Sequence, residues 1–240
     1  LRDDLGAEFI QFIPIVERMT PEMLPMADSG WGVRAKDRPL YRQAGSEVTH
    51  RSVTGEQYGR FLIDVFEEWA RHDVGDVFVQ MCDTALAHWL GVDQAGLCVH
   101  AKTCGSALAL EHNGDLYSCD HYVEPDYLLG NIAAGRTLLD LVTSPAQQAF
   151  GNAKLDTLPQ SCLDCDVRFA CNGGCPKDRF ATTPDGDLGL HYLCPGYKAF
   201  FSHVDAPMRF MADRLRAGQD ATALRDWYAG QALMGILSNQ

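Results

Sequence analysis

Ser161-Cys162-Leu163-Asp164-Cys165-Asp166-Val167-Arg168-Phe169-Ala170-Cys171-Asn172-Gly173-Gly174-Cys175-Pro176 packs four cysteines into a stretch with neither helical nor strand periodicity. A segment without an apolar face has nothing to bury, so something other than a hydrophobic core must hold it. A Cys-x2-Cys pair presents two thiolates to one centre from a tight turn, and more distant ligands complete a four-thiolate site. Working outward, Cys194 lies downstream, and Cys98, Cys104 and Cys119 lie upstream. Of nine cysteines, only Cys82 stands apart, and it reads as a small apolar residue.

Three chemistries use clustered cysteines. Disulfides fit badly, because the count is odd and the opening Leu1-Arg2-Asp3-Asp4-Leu5 is not a secretion signal. Four-cysteine zinc sites fit the spacing. Iron–sulfur clusters fit it as well, and the run ending in Cys175-Pro176 resembles a ferredoxin run. In two-cluster ferredoxins the fourth cysteine of such a run ligates the other cluster. Carried over, that exchange sets Cys98, Cys104, Cys119 and Cys175 at one centre and Cys162, Cys165, Cys171 and Cys194 at the other. Spacing alone leaves zinc and iron–sulfur both open.

Composition narrows the function class. The formal net charge of −12 gives no basic face for nucleic-acid phosphates. No run of 18 apolar residues offers a membrane span. Reduced, clustered thiols suit a cytoplasmic setting. The chain opens without Met, which suggests that it continues a longer protein.

Residues 8 to 16 read as a buried strand of a parallel sheet, and residues 17 to 54 as a long polar loop. Phe61, Leu62, Val65, Phe66 and Trp69 recur at helical spacing, which predicts an amphipathic helix over 55–71. A strand is expected at 77–79 and a short helix at 83–90. Asn113-Gly114 between Ala107–Leu110 and Leu116–Ser118 predicts a hairpin with a type I′ turn. Helices are expected at 136–142, from Pro145, and over 197–216 and 222–237. The predicted class is α+β.

At this point the sequence resembles a known family. Cys98-x5-Cys104, Cys119-Asp120-His121-Tyr122, Cys162-x2-Cys165-x5-Cys171-x3-Cys175 and Cys194 are similar to the SPASM domain of anaerobic sulfatase-maturating enzymes. So are Glu111-His112-Asn113-Gly114-Asp115-Leu116-Tyr117-Ser118 and Asn172-Gly173-Gly174-Cys175-Pro176-Lys177-Asp178-Arg179-Phe180. The resemblance implies three parts. Residues 1–73 would be the end of a partial β/α radical-SAM barrel, 74–195 a SPASM domain with two auxiliary 4Fe–4S clusters, and 196–240 C-terminal helices. It implies an oxidoreductase that converts a Cys or Ser side chain of an unfolded sulfatase peptide to Cα-formylglycine. S-adenosylmethionine and a third 4Fe–4S cluster would sit in an upstream barrel bearing a Cys-x3-Cys-x2-Cys motif, which is absent here, so this chain alone is not expected to be active. A flavodoxin or ferredoxin would supply electrons. The nearest alternatives are a SPASM maturase of another peptide and a non-catalytic zinc docking domain.

The same resemblance makes Asp120 the general base that takes the substrate's hydroxyl or thiol proton; on residue type alone, Asp120 reads rather as a turn residue. His100, His112, His121 and His191 read as hydrogen-bonding neighbours of the cysteines rather than as ligands. Lys177 and Arg179 read as charge compensation, peptide contacts or a solvated segment. Gly173-Gly174 would let backbone amides approach sulfur.

Overall fold

The computed structural model describes residues 2–37, 44–92 and 96–237. Among the described residues, helices mix with four small sheets. Phe9–Ile10 pairs in parallel with Phe78–Val79. The long buried strand expected over residues 8 to 16 is therefore reduced to two paired residues. A parallel strand is buried only when covered on both faces. Here Phe9, Ile13 and Ile15 are 78%, 76% and 59% exposed, and only Val16 at the end of the run is buried.

The expected loop over residues 17 to 54 is partly structured, and residues 38–43 of it lie outside the described residues. Arg18–Met19 pairs antiparallel with Glu47–Val48, and Met19, Ala27 and Trp31 form a small core of their own. Buried Glu17 accepts from Thr49 Oγ1 at 2.8 Å and is bound by Arg51, so its charge is compensated where no apolar pattern exists.

The main core is built around the Gly55–Glu68 helix. Thr54 caps it, and Gln57 returns the bond in a capping box. Leu62, Phe66 and Trp69 turn inward as predicted, whereas Phe61 sits at the rim, 41% exposed, edge-on to Phe12. Against this helix packs Cys194–His203, presenting Tyr197, Phe200 and Phe201. The two helices touch through glycine. A Cβ on Gly59 would lie 2.6 Å from Gly196 Cα, and one on Gly196 would lie 2.1 Å from the Gly55 carbonyl oxygen.

The expected helix over 197–216 is two helices, Cys194–His203 and Asp205–Arg216. Pro207 lacks the amide that would bond back across the junction, so the ladder stops there. Phe78–Val79 leads into the Gln80–Trp89 helix, whose Cys82 lies buried in the core as its isolation suggested.

The hairpin forms at Ala109–Leu110 and Asp115–Tyr117, but without a type I′ turn. That turn needs positive φ at both central residues, and Asn113 is not among the positive-φ residues. The Asn113 carboxamide instead accepts from Asp115 N at 3.0 Å, and Gly114 N donates to Glu111 O at 2.9 Å. The result is a three-residue loop closed by left-handed Gly114. A third strand, Leu128–Asn131, extends the sheet. Thr137 caps the helix Leu138–Val142, and Ser144 caps Pro145–Asp156, the latter beginning at the predicted proline. Among the described residues, no helix is long and apolar enough to cross a membrane.

Two outcomes test this packing. Gly196→Ala should cost about 1–3 kcal/mol, because the methyl group forces two backbones apart; denaturant unfolding measures it. His191 is 3% exposed, its Nδ1 accepts from Leu193 N at 3.0 Å, and burial pushes its pKa down to about 3. The unfolded imidazole protonates near pH 6.5, so stability is retained above that value and falls as pH drops toward 3. Unfolding midpoints at about pH 7.5 and about pH 5 should differ less in His191→Gln than in the parent.

Candidate metal centres

The first group of thiols is assembled by three separate segments. Cys98 opens the turn Cys98–His100. Cys104 is held to the Pro145–Asp156 helix, where its amide donates to Gly151 O at 3.0 Å. That approach requires glycine, since a Cβ on Gly151 would lie 2.7 Å from the Cys104 carbonyl oxygen. Cys119 follows the Asp115–Tyr117 strand, and Cys175 follows Gly174. All four line one cavity of about 390 Å³, together with Asp120 and His121.

The second group hangs on short helices. Cys162 lies in Gln160–Leu163, Cys171 ends Arg168–Cys171, Cys194 opens Cys194–His203, and Cys165 bridges the first two. Beyond Cys171 the backbone is left-handed three times running, at Asn172 (φ 48°), Gly173 (71°) and Gly174 (63°). Asn and Gly are the residues that tolerate this. The Gly173 amide bonds the Cys171 sulfur, as the Gly-Gly pair suggested, and Asn172 Nδ2 donates to His100 O at 2.8 Å. Gly174 lies against His191, where a Cβ would fall 2.3 Å from Cδ2 of the ring.

None of the nine cysteines is in a disulfide. Burial pushes Cys119 and Cys171 up to about 12, and Cys175 and Cys194 up to about 11. Burial raises Cys104 and Cys162 as well. Neighbouring sulfurs add to this in two separate sets. Cys98 raises Cys104, Cys104 raises Cys175, and Cys175 raises Cys119. Cys162 and Cys165 raise both Cys171 and Cys194. Desolvated thiols that oppose one another's ionisation are a donor set that a bound cation would deprotonate and stabilise, so the residues fit iron–sulfur or zinc alike.

Asp120 and His121 join the first group. Cys119 Sγ lies 3.2 Å from Asp120 Oδ1, which faces His121 Nδ1 at 2.9 Å, and the His121 amide donates to the sulfur at 3.5 Å. These three side chains form a compact set of donor atoms. His100 is buried and its Nδ1 lies 3.2 Å from Cys171 O; burial pushes its pKa down to about 3, so it stays neutral. His112 is 93% exposed on the hairpin, away from both groups. Lys177 pairs with Asp178, a buried carboxylate that also lines the cavity. Arg179 is no solvated charge: it donates to the carbonyls of Lys154, Asn172, Gly173 and Gly174.

Sequence reasoning missed Lys154 and Gln147. In the Pro145–Asp156 helix, Gln147, Gly151 and Lys154 form the buried face. Gln147 Nε2 donates to Gly105 O and Ser118 O, and Lys154 Nζ donates to Cys98 O and Val99 O. The available signal was the weak apolar pattern of this helix: no hydrophobic stripe competes for the inward position.

Residues 98–166 match the SPASM family, an iron–sulfur cluster-binding domain. A serine-type anaerobic sulfatase-maturating enzyme of Bacteroides thetaiotaomicron is 43% identical over 217 residues, covering 88% of this chain and 49% of that protein. A cysteine-type enzyme of Clostridium perfringens is 29% identical, covering 69% of this chain and 44% of the relative. The chain thus spans about half the length of the curated relatives it matches. A solved structure of native anSMEcpe with bound AdoMet and Cp18Cys peptide shares the fold at TM-score 0.60 and 22% identity, covering 86% of this chain and 57% of that one. Over most of its length the chain is thus similar to anaerobic sulfatase-maturating enzymes, and residues 98–166 match the SPASM iron–sulfur cluster-binding domain.

Proposed function

We propose that this chain is the cluster-bearing, peptide-facing part of a radical-SAM oxidoreductase that makes Cα-formylglycine in a sulfatase. The observation that carries the reading is the cavity that brings four thiols together with Asp120 and His121. Cys98, Cys104, Cys119 and Cys175 would hold one 4Fe–4S cluster, and Cys162, Cys165, Cys171 and Cys194 the other. The mutual influence of the sulfurs within each set supports this partition. The two clusters supply one-electron transfer, and S-adenosylmethionine with a third 4Fe–4S cluster in an upstream barrel supplies removal of the β-hydrogen. Residues 1–73 would close that barrel, 74–195 would carry the clusters and 196–240 the terminal helices. A flavodoxin or ferredoxin would deliver electrons, in the cytoplasm.

The residues of this chain handle the proton. Asp120 takes it from the substrate hydroxyl or thiol. Its Oδ1 is occupied by Cys119 and His121, which presents Oδ2 to the peptide. Once Cys119 is a thiolate, its hydrogen bond to Oδ1 is lost and two anions face each other. His121 then compensates both, through its amide to sulfur and its ring to the carboxylate. The higher identity to serine-type than to cysteine-type relatives favours a seryl substrate.

Two measurements test the reading. Iron and sulfide analysis of the anaerobically prepared chain should give about eight of each in brown protein. Two zincs in colourless protein would establish the docking-domain alternative. In the full-length enzyme, Asp120→Asn should abolish oxidation of a sulfatase peptide and leave the iron content unchanged; retained turnover would remove Asp120 from the mechanism.

A further inference from the structure

Two cations, buried Lys154 and half-buried Arg179, lie beside the thiols. Lys154 is 1% exposed, and its Nζ is fixed on the Cys98 and Val99 carbonyl oxygens at 2.7 and 2.9 Å. Arg179 reaches the Lys154 carbonyl oxygen at 2.6 Å, besides those of Asn172, Gly173 and Gly174. Among the described residues, neither pairs with a carboxylate. A desolvated cation is costly unless anionic charge lies near it. Of the groups able to become anionic, the cysteines are those on which the two cations bear, and the cations address them differently. Lys154 interacts with Cys98, Cys104 and Cys175, all of the first set. Arg179 interacts with Cys104 and Cys175 of the first set and with Cys162 and Cys171 of the second.

We propose that Lys154 and Arg179 rank the two centres, so that an electron entering this region rests at the Cys98–Cys104–Cys119–Cys175 centre in preference to the other. This rests on the cluster reading above. One-electron reduction of a 4Fe–4S centre with four thiolates takes its charge from −2 to −3, with no proton taken up and no bond made or broken. A fixed cation stabilises the more negative state, and does so strongly where water is excluded. Two such cations bear on the first centre and one on the second, while the carboxylates at the first centre, Asp120 and Asp178, face His121 and Lys177. Lys154 is thus a positioning residue for the electron; it does not touch the substrate. Its donors also anchor the Cys98 turn, so its structural part and its electrostatic part must be separated.

Lys154→Gln separates them, since it keeps an N–H donor for the two carbonyls and removes the charge. The anaerobic iron-loaded chain is titrated with dithionite, which supplies the electron, and followed by electron paramagnetic resonance. In the parent, two reducible centres are expected at different potentials. In Lys154→Gln the equilibrium constant for the more easily reduced centre should fall about tenfold, or 59 mV for one electron, while the other stays in place. Lys154→Arg should restore the parent value. In a Cys162→Ala, Cys165→Ala background the shift should persist in the remaining centre. Unchanged potentials in Lys154→Gln would overturn the ranking. Loss of half the iron from both Lys154→Gln and Lys154→Arg would also overturn it, leaving Lys154 as an anchor only. If the parent itself contains no iron–sulfur centre, the cluster reading falls, and the ranking with it.

Discussion

The guanidinium of Arg179 gathers backbone carbonyls from the helix at Lys154 and from the left-handed turn at Asn172, Gly173 and Gly174. Much of the site's geometry depends on this contact. The turn carries Cys171 on one side and Cys175 on the other. The helix carries Lys154, which holds the Cys98 turn, and Gly151, which holds Cys104. One half-buried cation therefore joins segments that share no hydrophobic period. Carbonyl groups turned inward without such a donor would each be costly, so the cation and the turn require one another.

A second constraint comes from the helices. Gly55 and Gly59 let the backbone of Cys194–His203 approach closely, which fixes the starting point of that helix and with it Cys194. The main core thus places one thiol of the second set directly, while the remaining thiols of that set are placed by short turns around it. Core and cysteine region are coupled through Tyr197, which packs on the core, stacks edge-on to His100 and lines the cavity.

Asp120 illustrates how a cluster ligand and a candidate base share one local structure. The Asp120 carboxylate lies 3.2 Å from the Cys119 sulfur and would be repelled by a thiolate. His121 supplies compensation from the next position. Adjacent ligand, base and imidazole are therefore an arrangement in which each side chain answers a charge created by its neighbour.

The cysteine spacing, the capped helix after Thr54, the hairpin around Asn113-Gly114 and the helix from Pro145 were legible in the sequence, because each rests on interactions within a few residues. The isolated Cys82 was legible too, since an apolar helix surrounds it. Tertiary structure alone decided three further matters. The apolar run after Glu8 is mostly exposed, because burial of a strand depends on partners rather than on its own residues. The Asn113 side chain, bonded to Asp115 N, replaced the expected turn with a longer loop. Lys154 became an interior cation, because the thiols beside it, Cys98, Cys104 and Cys175, sit on segments distant in sequence, where no local pattern could announce them.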